Sequence, residues 1–303
     1  TGADTSCTDT SGAGAGTDTS GAGAGTDTSG AGAGTGAVES TAGILLDSFI
    51  IPFIEFDPFS ISENKLFIFI LLNNIYMVNK LVEKTIKLSL FVQIVTTLVS
   101  LNGIYIPLKP ENNILKDILK IEASVQFIEA FFYIWMMFAL KDLNKMTPRR
   151  YIDWFITTPA MLISTIIFFK YQEKKEKNES TIMELEPFLL ENKENILKIV
   201  IYNAGMLLFG LLGETGYIDK YVSISIGFIF FYKSFELIYY EYAIYSENSK
   251  ILYKILLLIW ALYGVAAMFP NVPKNISYNI LDVISKNFYG LYIYYLILQL
   301  SQS

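Results

Sequence analysis

Residues 150–159 read Arg-Tyr-Ile-Asp-Trp-Phe-Ile-Thr-Thr-Pro, and residues 282–286 read Asp-Val-Ile-Ser-Lys. Asp153 and Lys286 therefore lie within apolar runs, where a charged side chain is costly and normally marks function. Asp282 precedes Lys286 by one helical turn, so their side chains share one helix face. We predict a single buried site in which Lys286 is the cation and Asp153 and Asp282 are its counter-charges.

The composition indicates a membrane protein, because 52% of the residues are hydrophobic and the mean hydropathy is +0.41. The chain has no histidine, which excludes histidine metal sites and Ser/His triads. Its one cysteine, Cys7, excludes disulfides and cysteine metal sites within the chain. A net charge of −6 without a basic stripe argues against nucleic-acid binding.

Seven apolar runs approach or reach the length of about 20 residues that a membrane-spanning helix needs. They lie near residues 84–107, 114–140, 149–170, 195–213, 217–244, 250–269 and 276–300. The sequence therefore predicts an all-α membrane protein built as a seven-helix bundle.

The region before these runs has a different composition. Residues 1–43 include three copies of a nine-residue Thr/Ser/Asp/Gly/Ala unit and predict a flexible tail with little to bury. Residues 44–80 hold two apolar runs shorter than the roughly 18 residues of a span, which favours surface or re-entrant helices. The predicted bundle covers residues 81–303.

Lysines concentrate in the connections 107–120, 170–193 and 245–254. Because basic residues favour the cytoplasmic side of a membrane, we expect these connections there. The expected protein is multi-pass and embedded in the lipid bilayer, with its N-terminus outside and its C-terminus in the cytoplasm.

The second apolar run carries a polar stripe. Glu122, Gln126, Glu129 and Tyr133 follow spacings of four, three and four residues, and so lie on one helix face. The stripe covers roughly 16 Å of helix axis. Two glutamates against lipid would be costly, so the stripe predicts a path through the bundle that favours cations. A solvated position at the helix end is the alternative for Glu122.

The motif at 150–159, the Asp-x-x-x-Lys of 282–286 and the Trp-x-x-Tyr of Trp260 and Tyr263 resemble the microbial (type 1) rhodopsins, over roughly residues 84–300. The resemblance implies all-trans retinal, bound covalently to Lys286 as a protonated Schiff base. It also implies a pocket formed by Trp154, Thr158, Met161, Met206, Gly210, Gly227, Phe231, Trp260 and Tyr263. The alternative is plain aromatic packing around an ion-paired lysine.

The same resemblance implies a counter-ion complex of Asp153, Asp282 and Arg150, with Thr157 hydrogen-bonded to Asp153. Ser164 stands where proton pumps usually place a carboxylic proton donor. On the outer side, the positions of the release glutamate of bacterial outward pumps are occupied by Lys274 and Asn275. Both ends of a pump's proton relay are therefore missing from the sequence positions where the family places them.

Glutamates at heptad spacing and an asparagine directly after the lysine resemble the channelrhodopsins and the related channels of giant algal viruses. In those channels one glutamate and that asparagine form a gate with a polar residue of the first span. Here the gate would combine Glu129 and Asn287 with Thr96 or Thr97, or with Ser89 as an alternative.

These patterns predict a photoreceptor rather than an enzyme. The leading hypothesis is a light-gated channel for monovalent cations. An outward proton pump is the alternative, followed by a photosensor. No metal site is predicted, and association with further copies of the chain is left open.

Overall fold

The structure is a computed structural model that describes residues 60–179 and 182–302. Before Lys80, the only side chain it describes is that of Ile68. The predicted tail at 1–43 and the first short apolar run at 44–56 lie outside the described residues.

The described residues form a bundle of helices. The α-helices are α1 (Ser60–Ile104), α2 (Ile114–Met137), α3 (Met146–Glu176), α4 (Leu185–Glu191), α5 (Lys193–Glu214), α6 (Lys220–Glu241), α7 (Glu247–Ala267), α8 (Asn271–Asp282) and α9 (Phe288–Gln302). Short 3-10 turns lie at Pro110–Asn112, Leu143–Lys145 and Ala243–Tyr245. The segment Val283–Asn287 is π-helical and joins α8 to α9, so these three pieces form one seventh helix. The seven-helix prediction is confirmed.

The first helix is longer than predicted. It runs from Ser60 to Ile104 without interruption, so the apolar run at 66–79 belongs to the same helix as the first predicted span. The reason is local, because no proline or glycine occurs between Ser60 and Gly103 to break the helix. The predicted boundary at residue 80 falls inside α1, and its meaning as a domain boundary stays a prediction.

In the described chain, five helical stretches are long and apolar enough to cross a membrane. They are Lys80–Ile104, Leu143–Glu176, Lys193–Glu214, Lys220–Tyr245 and Glu247–Ala267. The second helix is not among them because it carries five charged residues, including Glu122 and Glu129. The seventh is divided by its π-helical segment. Both departures from an ordinary apolar helix lie where the polar groups of the site are found.

The short helix α4 was not predicted. It lies in the connection 171–194, where lysine, glutamate and asparagine suggested a loop. Pro187 is its third residue, a position in the first turn where the missing N–H costs little. Phe188 is buried and anchors α4 on the bundle.

Neighbouring helices pack in the order of the chain, with α2 against α3, α5 against α6, and α9 returning to α2. The core contains the inward side chains of Ile118, Ile166, Phe235 and Ile293. Many large apolar side chains point outward, among them Phe127, which is 68% exposed. Such a surface is typical of helices that face lipid.

Candidate functional site

Lys286 lies in the π-helical segment of the seventh helix. The N–H of Phe288 donates to the carbonyl of Val283, five residues earlier, which widens this turn. Single π-helical turns often occur at functional sites. Nothing in the sequence indicates this turn, because no proline or glycine interrupts residues 282–288.

Three carboxylates surround the amine of Lys286. Its Nζ lies 3.0 Å from Glu129 Oε1, 3.1 Å from Asp153 Oδ2 and 4.0 Å from Asp282 Oδ1. All four side chains are at most 1% exposed. The predicted partners Asp153 and Asp282 are both present, but Glu129 is as close to the amine as Asp153.

Asp282 accepts its hydrogen bonds mainly from side chains other than Lys286. Its Oδ2 accepts hydrogen bonds from Arg150 Nη1 and from the Tyr133 hydroxyl, both at 2.7 Å. Its Oδ1 accepts from the Tyr263 hydroxyl at 2.8 Å and from Trp154 Nε1 at 3.3 Å. The carboxylate of Asp282 is therefore bound first to Arg150 and only secondarily to the lysine.

Arg150 links three helices. Its Nη2 donates to Asn279 Oδ1 at 2.6 Å on α8. The side chain of Asn279 in turn donates to the Thr85 hydroxyl of α1 at 2.8 Å. The Ser89 hydroxyl donates to the carbonyl of Asn279 at 3.0 Å. Ser89, an alternative gate residue, thus belongs to this arginine network.

Thr157 forms the predicted hydrogen bond to Asp153, but to the backbone of that residue rather than to its carboxylate. Its hydroxyl donates to the backbone carbonyl of Asp153 at 3.0 Å, one turn earlier in the same helix. Thr158 behaves similarly toward Trp154, at 2.6 Å, and accepts a hydrogen bond from Asn203 Nδ2 at 2.8 Å. A threonine within a helix readily satisfies its hydroxyl in this local way.

The predicted gate residues are brought together in a different pairing. The hydroxyl of Thr96 hydrogen-bonds to Asn287 Oδ1. Thr97 instead donates to its own helix, to the carbonyl of Gln93 at 2.7 Å. Glu129 pairs with Lys286 rather than with Asn287. The expected direct contact between Glu129 and Asn287 is therefore absent. Instead, Glu129 contacts Lys286 and Thr96 contacts Asn287, the next residue of the π-helical segment.

Glu122 is fully buried, so its solvated alternative is wrong. Its carboxylate accepts a hydrogen bond from Ser164 of α3. A carboxyl group therefore lies beside Ser164, the position where proton pumps usually have their carboxylic donor. One turn along α2, Gln126 Oε1 accepts a hydrogen bond from Ser100 at 3.3 Å.

A second polar stripe lies on α1 and was largely missed. It consists of Ser89, Gln93, Thr96 and Ser100, all at most 3% exposed. Their spacings are four, three and four residues, the same as those of the stripe on α2. This repeated spacing was the signal that could have identified them.

The end of the bundle at which α5 ends and α8 begins also holds a buried ion pair. Lys274 Nζ lies 2.5 Å from Glu214 Oε2, and both side chains are at most 8% exposed. Glu214 ends α5, whereas Lys274 is in the first turns of α8. Asn275 bonds locally, through its Nδ2 to the carbonyl of Asn271 at 2.7 Å.

Lys286 also lines an apolar cavity between α3, α5, α6, α7 and the seventh helix. Its walls include all the residues that the resemblance assigned to the pocket, namely Trp154, Thr158, Met161, Met206, Gly210, Gly227, Phe231, Trp260 and Tyr263. The cavity is walled mostly by aromatic and aliphatic side chains, a lining suited to an apolar ligand.

A family model described as bacteriorhodopsin-like protein matches residues 84–300. The chain belongs to this family. It is thus a microbial (type 1) rhodopsin and an integral, multi-pass membrane protein. Members of this family are generally light-driven transporters or sensors rather than enzymes.

Solved structures of other rhodopsins have the same fold. The viral rhodopsin OLPVRII has 27% identity and a TM-score of 0.61, covering 72% of this chain and 98% of its own. A blue light-absorbing proteorhodopsin from Med12 has 20% identity and a TM-score of 0.58, covering 73% and 99%. Xanthorhodopsin, described as a light-driven ion pump with dual chromophore, has 17% identity and a TM-score of 0.54, covering 74% and 95%. No match was found among curated protein sequences.

The family implies a retinal chromophore, and the residues of this rhodopsin fit one. Lys286 presents a buried amine to the cavity, and Trp154, Trp260 and Tyr263 supply aromatic walls. The carboxylates beside the buried amine can hold a positive nitrogen there. These are the groups that a covalently attached polyene requires.

Two cavity glycines differ in the space around them, which yields a stability prediction. A Cβ on Gly210 would lie 2.6 Å from the Tyr151 hydroxyl and 2.9 Å from its ring, whereas on Gly227 the nearest atom is 3.5 Å away. Gly210→Ala should destabilise the retinal-free protein by about 1–3 kcal/mol through overpacking. Gly227→Ala should leave stability unchanged or raise it by up to about 1 kcal/mol. Thermal unfolding of both variants checks this, and equal effects would contradict it.

Proposed function

We propose that this rhodopsin is a light-gated cation channel. Retinal, attached in its all-trans form to Lys286 as a protonated Schiff base, would supply the light-driven change in shape. The proposed orientation has the N-terminus outside and the C-terminus in the cytoplasm, as the distribution of lysines favours.

The observation that supports a channel best is a buried polar seam between α1, α2 and the seventh helix. We define the seam by the two stripes with matching spacing, namely Ser89, Gln93, Thr96 and Ser100 on α1, and Glu122, Gln126, Glu129 and Tyr133 on α2. The Ser100–Gln126 bond connects the stripes, and the Thr96–Asn287 bond connects α1 to the seventh helix. So many polar side chains are costly inside a membrane unless water or ions use them.

The seam reaches the lysine through Glu129. In the resting protein Glu129 is held by Lys286, while Asn287, the next residue, is held by Thr96. Because Lys286 and Asn287 share one π-helical turn, displacement of the lysine nitrogen would disturb both contacts together. Release of the two contacts would open the seam, and the glutamates along it would favour cations over anions.

Photocurrent under voltage clamp tests the proposal. A channel predicts a current whose direction reverses with the membrane potential and whose reversal potential follows the Na⁺ or K⁺ gradient. A current of one sign at every potential would indicate a pump, and no steady current would indicate a sensor. Either result would reject the channel.

The seam makes a specific mutational prediction. Gln126→Leu keeps the side-chain size but removes the amide that bonds Ser100, so it should lower the photocurrent at least several-fold. Phe127→Leu is the matched control, since Phe127 is the next residue and is 68% exposed on the outer face of α2. Current amplitude per unit of pigment absorption measures the effect. A Gln126→Leu current equal to that of Phe127→Leu would exclude the seam as the path.

An outward proton pump is the second candidate, and the Glu122–Ser164 bond favours it. Glu122 reaches from α2 to the place on α3 where pumps usually place their proton donor. In a pump, Glu122→Gln would slow recovery of the resting state and the slowing would be relieved by added azide or another small acid. The current would keep one sign, which separates this outcome from the channel.

A further inference from the structure

In the buried site around Lys286, carboxylates outnumber cationic side chains. Its cations are Lys286 and Arg150, and its carboxylates are Glu129, Asp153 and Asp282, all at most 1% exposed. Full ionisation would leave one negative charge unbalanced inside the bundle. A buried charge without a partner is strongly unfavourable, and a carboxyl group in that position keeps its proton instead.

The geometry indicates where the extra proton resides. Asp282 is bound to Arg150 at 2.7 Å and accepts three further hydrogen bonds from neutral donors, so it is stabilised as a carboxylate. Glu129 and Asp153 instead share the single amine of Lys286. Both oxygens of Glu129 and the Oδ1 of Asp153 are buried without a hydrogen-bond partner among the described residues.

We propose that Glu129 is a third member of the counter-ion complex and that Glu129 and Asp153 together hold one proton in the resting protein. Two carboxylates that share one site cannot both ionise at low cost. The site as a whole is then neutral, with Lys286 facing one carboxylate and one carboxylic acid. The infrared test below is independent of the proposed function, whereas the absorption test rests on retinal binding.

Other titratable groups near the site do not supply the missing positive charge. Besides Arg150 and Asp282, which are already counted, those facing it are Tyr133 from α2 and Tyr263 from α7, with Glu122 and Tyr289 further along the bundle. The members of the α1 stripe carry no charge. Glu122 bonds Ser164 and is a separate buried acid, so the experiment must remove it first.

The infrared carbonyl stretch of a carboxylic acid at neutral pH reports the shared proton in retinal-free protein. A band is expected in the Glu122→Gln background. It should disappear when either Glu129→Gln or Asp153→Asn is added. Each change leaves two carboxylates to balance the two cations, so neither carboxylate needs a proton. No band in the background, or a band that survives either addition, would overturn the proposal.

Isotope labelling keeps the test decisive if a double variant fails to fold. Glutamate labelled with ¹³C at its side-chain carboxyl should shift part of the band in the Glu122→Gln protein. An unshifted band would assign the proton to an aspartate alone and would overturn the sharing.

Absorption of the retinal-loaded protein gives the second readout. Raising the pH should remove the shared proton, place a second negative charge beside the Lys286 nitrogen and move the absorption to shorter wavelength. Glu129→Gln should lack this transition, and its persistence in that variant would overturn the proposal. Failure of the unaltered chain to form a pigment would reject the proposed function instead, and would leave the infrared result standing.

Discussion

Lys286→Ala is expected to abolish visible absorption and photocurrent completely. The side chain supplies an amine that lines the cavity next to three carboxylates, and alanine cannot form a covalent bond to an aldehyde. Purified protein reconstituted with all-trans retinal should therefore stay colourless. Absorption spectra and voltage-clamp recordings measure the two losses.

Lys274→Ala is the matched control. Lys274 is also a buried lysine of the seventh helix, ion-paired with a glutamate, but its partner is Glu214 and it lies three turns before Lys286. This variant should form a pigment. A coloured Lys286→Ala protein, or a colourless Lys274→Ala protein that retains its helical circular dichroism, would remove the basis for retinal attachment at Lys286.

Much of the fold could be predicted because a membrane helix can be recognised in a sequence by the length of its apolar run. The seven spans follow from apolar runs separated by charged connections. The extension of α1 and the short helix α4 were missed, since both contain polar residues that the apolar-length argument excludes although they do not break a helix. The π-helical turn at Val283–Asn287 has no sequence signal, because it depends on how the seventh helix packs.

The residues of the candidate site were predictable from helix faces, but their pairings were not. Periodicity put Glu122 and Glu129 on the inner face of α2, and both are buried there. It could not decide which atoms of the other helices they meet. Glu129 meets Lys286 and Glu122 meets Ser164, contacts that depend on the rotation and depth of α2 against its neighbours.

The ion pair of Lys274 and Glu214 shows the same limit of prediction from helix faces. The sequence places Lys274 where a pump's release glutamate stands, which suggested that no acid is present. The structure brings Glu214 to that lysine from the end of α5, a separation of 60 residues. A motif compared position by position within one helix cannot detect a side chain contributed by another helix.

Arg150→Gln should lower the stability of the protein by about 3–5 kcal/mol, the usual cost of removing one partner of a buried ion pair. The change removes the 2.7 Å contact with Asp282 and the 2.6 Å contact with Asn279, and leaves Asp282 buried without its cation. Arg149→Gln is the control, because Arg149 is the adjacent residue but is only half-buried and bonds the carbonyl of Trp135. Its effect should be about 1 kcal/mol or less. Thermal or denaturant unfolding in detergent measures both.

A double variant separates the ion pair from the packing of the arginine. If the loss in Arg150→Gln comes from the stranded carboxylate, then adding Asp282→Asn removes that charge and should recover part of the stability. The amide of the new asparagine can still accept from Tyr133 and Tyr263, which keeps the rest of the network in place. A double variant no more stable than Arg150→Gln would mean that the arginine acts through its volume and its contacts with Tyr133 and Asn279. In that case Asp282 would pair directly with Lys286. The extra proton would then be shared by all three carboxylates rather than by Glu129 and Asp153 alone.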